Sequence, residues 1–109
     1  MVSSEKEKNM YQWSLNSIRS ETVKMPASLN LKTYAGMYVG GLDFYMQDNR
    51  LFCRNAEREN AVYELRYIDE NLFMLDENVQ ILFEKDANGN CTQLKMLWKN
   101  GFVTKKAKV

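Results

Sequence analysis

Val79-Gln80-Ile81-Leu82-Phe83-Glu84-Lys85-Asp86-Ala87-Asn88-Gly89-Asn90-Cys91-Thr92-Gln93-Leu94-Lys95-Met96-Leu97-Trp98 reads as two alternating runs around one turn. In the first run Val79, Ile81 and Phe83 share a face; in the second Leu94, Met96 and Trp98 do. A side-chain period of two marks a strand with one buried and one wetter face. Both residues of Asn88-Gly89 tolerate positive φ, so the chain folds back here as a hairpin. Asp86, Asn88 and Asn90 match the opening of a calcium loop. The glycine and the bidentate glutamate such a loop needs are Cys91 and Leu97 instead, and the flanking elements are strands. The segment is therefore read as a hairpin turn, with no metal and no cofactor implied.

The same rhythm extends in both directions. Turn signals stand at Gly40-Gly41, Asp48-Asn49, residues 55–60, Asp69-Glu70-Asn71, Glu77-Asn78, residues 86–90 and Asn100-Gly101. Strands are expected over residues 34–39, 42–47, 50–55, 61–68, 72–76, 79–85, 91–98 and 102–108. No gap is long enough for a crossover helix, so neighbours in sequence pair antiparallel. The expected fold is mainly β: a small eight-stranded antiparallel meander barrel with one N-terminal α-helix, closure removing the exposed edges. Residues 1–30 form the helix and linker and residues 31–109 the barrel, as a single structural unit.

Ser4 and Glu7 have the spacing of a capping box and open a helix over residues 5–20. Tyr11, Leu15 and Ile18 fall on one face of it, which is expected to dock on the barrel. Trp13 points the other way, toward the linker or toward a partner. Pro26, the only proline, ends any helical continuation in the linker.

With 109 residues, 45% of them hydrophobic and 27% charged, the chain has the composition of one globular domain. A net charge of +1 gives no overall attraction to nucleic acid or to an anionic membrane, and no apolar run is long enough to span a bilayer. Lys105, Lys106 and Lys108 read as a charged last strand that discourages edge pairing. Residues 1–9 are polar and do not form a signal peptide. Compartment then turns on Met1: cytoplasm if it is the native start, periplasm or cell envelope if the chain is a piece of a secreted protein.

Chemistry is scarce. There are no histidines, which removes the commonest general base and metal ligand. Asp69-Glu70 and Asp76-Glu77 are adjacent pairs in turns, where carboxylates point apart into water rather than at one reacting centre. Cys53 and Cys91 fall on strands that are not neighbours, and Cys53 shares the parity of Leu51, as a small core residue would. Eight strands enclose room either for packed side chains or for one small ligand. The expected inward residues are large, which favours packing; Tyr38, Phe44, Phe83 and Trp98 are the interior contacts for a small apolar ligand if a cavity remains.

Leu31-Lys32-Thr33-Tyr34-Ala35-Gly36-Met37-Tyr38 resembles the entry motif of a bacterial accessory domain of lipocalin-like shape. That domain follows the catalytic parts of tail-specific (C-terminal-processing) serine peptidases and of some beta-lactamase-like serine hydrolases. The resemblance continues in order through Asn49-Arg50-Leu51-Phe52, Tyr63-Glu64-Leu65, Glu70-Asn71-Leu72-Phe73-Met74, residues 79–90 and Asn100-Gly101. The chain departs from the pattern at Arg58-Glu59-Asn60, at Cys91 and at Asn100. The resemblance implies a non-catalytic accessory module, with a peptidase domain or another protein as partner and Trp13 as the contact. A stand-alone barrel for an apolar ligand is the alternative. No catalytic residue carries over, since the nucleophile of such peptidases lies in a domain outside these residues.

Overall fold

A computed structural model describes residues 4–109. Met1, on which the compartment expectation turns, lies outside the described residues. Helix α1 runs over Glu5–Thr22, and the N–H of Glu7 donates to Ser4 Oγ at 3.1 Å, so the cap falls where the sequence puts it. Nine strands follow: β1 Gly36–Tyr38, β2 Leu42–Gln47, β3 Arg50–Asn55, β4 Ala61–Glu64, β5 Arg66–Asp69, β6 Leu72–Met74, β7 Val79–Lys85, β8 Cys91–Trp98 and β9 Val103–Ala107. They form two antiparallel meanders, β1 to β4 and β5 to β9. No closed barrel is found among these ladders.

The strand beyond the expected eight arises at Leu65. Its side chain is buried and its N–H donates to the carbonyl of Leu51 at 2.9 Å, outside either ladder. The single strand expected over residues 61–68 therefore breaks into β4 and β5, one in each sheet. Tyr34 also departs from expectation. Asn30 Oδ1 accepts from the N–H of Lys32 at 3.1 Å and starts a short 3-10 turn, Leu31–Tyr34, where a strand was expected to begin.

Turn chemistry sets the registers. Asp48 and Asn49 both take positive φ, 53° and 61°, which is the two-residue turn whose twist suits the β2–β3 hairpin. Asp86 Oδ1 accepts from the N–H groups of Asn88 and Asn90, at 2.9 and 3.0 Å, and closes the β7–β8 hairpin. Next to that turn the ladder skips Thr92, a bulge that carries Cys91 onto the buried face.

The core lies between the sheets and centres on Phe83. Its ring centroid is 4.6 Å from that of Tyr34, 5.2 Å from Phe44, 5.9 Å from Phe73 and 6.1 Å from Tyr38. Leu51, Ile81 and Leu94 are buried in the same cluster. Each such side chain contributes about 1.5–3 kcal/mol by leaving water. Cys53 and Cys91 are both free thiols buried in this cluster.

Helix α1 covers the outer face of the second sheet by the side opposite to the expected one. Trp13 is 5% exposed and packs with Ile68 and Met74, while Tyr11 is 70% and Ile18 64% exposed. The helix therefore buries Trp13, Asn16 and Ser20, and leaves Tyr11, Leu15 and Ile18 in water.

Candidate functional site

In an up-and-down meander every second turn lies at the same end. The turns after β1, β3, β6 and β8 share one end, and there the space between the sheets is not filled. A pocket of about 450 Å³ opens between them. Its floor comes from the ends of strands: Tyr63 on β4, Val79 at the start of β7, Met96 and Trp98 at the end of β8, and Leu75 just past β6. Val79 and Trp98 are direct cross-strand partners, so they stand side by side. The Trp98 indole is half-buried and held by its Nε1–H, which donates to Thr104 Oγ1 at 3.1 Å. Met10 reaches in from α1 and closes one side.

The rim carries the charge. Arg58 comes from the short 3-10 turn Ala56–Arg58, Asp76 from the β6–β7 turn and Lys99 from the β8–β9 turn. Asp76 Oδ1 accepts from the N–H groups of Asn78 and Val79, at 2.8 and 3.0 Å. The N–H of Lys99 donates to the carbonyl of Asn78 at 2.8 Å, which ties two of the rim turns together. Neither Arg58 nor Lys99 takes part in an ion pair among the described residues.

Of the expected interior contacts, Trp98 alone lines this pocket. Tyr38, Phe44 and Phe83 are each 1% exposed and belong to the packed aromatic cluster. Trp13 stands on the other side of the second sheet, where its Nε1–H donates to the carbonyl of Leu97 at 2.8 Å; it packs on the chain's own strands rather than on the linker.

The ionisable groups of the core are held neutral. Burial pushes the Cys53 thiol up to about 12, with the nearby Asp43 carboxylate adding to it. Burial also raises Tyr34 to about 12, and raises Tyr38 and Cys91. Neutral thiols in apolar surroundings are poor nucleophiles. The Tyr34 hydroxyl donates to Asn71 Oδ1 at 2.9 Å, whereas the Tyr38 hydroxyl is buried without a hydrogen-bond partner among the described residues.

Tyr63, Arg58 and Lys99 are not among the site residues expected from the sequence. Tyr63 has the parity of Leu65, and the alternation of turns between two ends puts Arg58 and Lys99 together, so the signal is present in the strand order. Comparison with protein-family models, curated proteins and solved structures gives no match for this chain.

Proposed function

We propose that this chain is a non-catalytic binding domain of lipocalin-like shape that takes a small apolar ligand at the open end between its sheets. The observation that carries this reading is the pocket of about 450 Å³ floored by Tyr63, Val79, Met96 and Trp98. Its volume lies within the range of small-molecule sites, and apolar lining with a few polar groups at the rim is the usual make-up of one. In this reading the two sheets are halves of one barrel. Two contacts support that: the Leu65 N–H bonded to Leu51 at one seam, and an antiparallel bridge between Tyr38 and Lys108 at the other. The assignment as non-catalytic rests on a sequence without histidine, whose paired carboxylates stand in turns. Titration with a neutral apolar probe such as decanol, followed by calorimetry and by Trp98 fluorescence, tests it. Saturable binding that weakens in Trp98→Ala is expected; no binding, or binding indifferent to that change, would refute it.

A role beside the catalytic domain of a serine peptidase has its own support. The sequence resembles such accessory domains, and Tyr11, Leu15 and Ile18 leave an exposed apolar stripe along α1. A reading frame that continues upstream into a peptidase would favour it; a gene without such a neighbour would argue against it.

A further inference from the structure

We infer that the ligand of the open-end pocket is an apolar molecule ending in a single anionic group, a monocarboxylate in the first instance. The inference rests on the reading of this pocket as a binding site and adds the chemistry of what it selects. The floor offers Trp98 and its aliphatic neighbours but no charge, so the body of the ligand is apolar. The rim is different. Arg58 and Lys99 bring two positive charges, and Asp76 one negative charge, which leaves one net positive charge among the lining residues.

The balance is also one of availability. Asp76 already spends one carboxylate oxygen on two backbone N–H groups. Arg58 and Lys99 are exposed and make neither an ion pair nor a side-chain hydrogen bond among the described residues. Of the other arginines of the two sheets, Arg50 is paired with Glu64 and Arg54 with Asp43, and Arg66 on β5 does not line this pocket. Glu57, Glu59 and Glu77 lie in the same turns, yet none of them lines the pocket. A guanidinium presents its donors as a planar fork that matches a carboxylate, and the Lys99 ammonium on the same rim adds a second charge. A neutral apolar molecule would fill the floor and leave both cations in water. A singly charged head would meet them without leaving a surplus charge, whereas a dianion would also face Asp76.

The test compares three molecules with one tail: decanoate, decanol and decyltrimethylammonium, titrated into the full chain at low salt by calorimetry. Decanoate should bind tighter than decanol by about three- to tenfold, a modest gap because the cations are solvent-exposed. The cationic homologue should bind weakest, and added salt should narrow the spread. In Arg58→Gln/Lys99→Gln the affinity for decanoate should fall to that for decanol. Equal binding of decanoate and decanol, or a gap that survives the double substitution, overturns this inference while leaving the pocket as a binding site. Failure of all three to bind overturns both.

Discussion

Trp13 is the one large apolar side chain that α1 buries among the described residues. Its ring packs on Ile68 and Met74 and its Nε1–H is bonded to Leu97, so apolar contact and a polar anchor reside in one residue. Trp13→Ala should cost about 3–5 kcal/mol, a large share of the roughly 5–15 kcal/mol that holds a domain folded. Trp13→Phe keeps most of the ring and gives up the hydrogen bond, for a loss of about 1 kcal/mol from that bond. Urea unfolding of the two variants separates these terms. An Ala variant as stable as the parent would mean the helix is not attached through this side chain. At this scale the sequence is plain about which residues are apolar and silent about which of them the fold covers. Phe83 and Trp98 share the same alternation, yet one is at the centre of the core and the other at its open end. Only the distance of each from the turns distinguishes them.

At the scale of the element, the docked face of α1 is held by a chain of amides. Gln12 Nε2 donates to Asn16 Oδ1, Asn16 Nδ2 donates to Gln80 Oε1, and Gln80 Nε2 donates to the carbonyl of Trp13, at 2.9, 3.1 and 2.9 Å. Gln80 is fully buried although it sits on the outward face of β7, because the helix lies over it. Gln80→Leu leaves Asn16 buried with an unsatisfied donor and should cost about 1–3 kcal/mol. Asn16→Leu added to Gln80→Leu should recover part of that loss, since two apolar groups need no partners. Denaturant midpoints of the two singles and the double give the coupling; strictly additive losses would show that the amides do not act together. Spacing rules weigh apolar residues alone, so they choose the stripe of Tyr11, Leu15 and Ile18 and overlook a polar face whose groups are all matched. The strands were more legible: β2, β3, β7 and β8 have the expected limits because each is bounded by a turn signal of its own. The break at Leu65 is invisible in the alternation, because Tyr63, Leu65 and the residues around them keep the period of one continuous strand.

Across the whole molecule, the core stores its titratable groups in neutral form, and this sets a limit on the alkaline side. An unfolded chain releases the thiol proton of Cys53 near its ordinary value of 9.0, whereas the folded chain retains it until about 12. The folded state then binds more protons than the unfolded state across that window, so stability falls as pH rises. Tyr34, with an ordinary value of 10.0 raised to about 12, and the upward shifts of Tyr38 and Cys91 act in the same direction. Below pH 9 their contribution is fully present; between pH 9 and about 12 it is progressively lost. Denaturation midpoints should decline through that window, and Cys53→Ala should decline less steeply. A flat profile would mean the core admits water around these groups.

The contact between the first and last strands has a consequence for synthesis. Tyr38 and Lys108 form an antiparallel bridge, flanked by Val39 N–H to Ala107 O at 2.9 Å and Val109 N–H to Met37 O at 2.8 Å. A ribosome delivers β1 well before it delivers the residues that cover its free side. Until then the nascent chain carries a bare strand edge bearing the exposed Met37 and Val39, able to pair with whatever strand comes near. Residues 107–109 thus act as a cover strip for β1, and a translation stall just short of them would leave that edge adhesive.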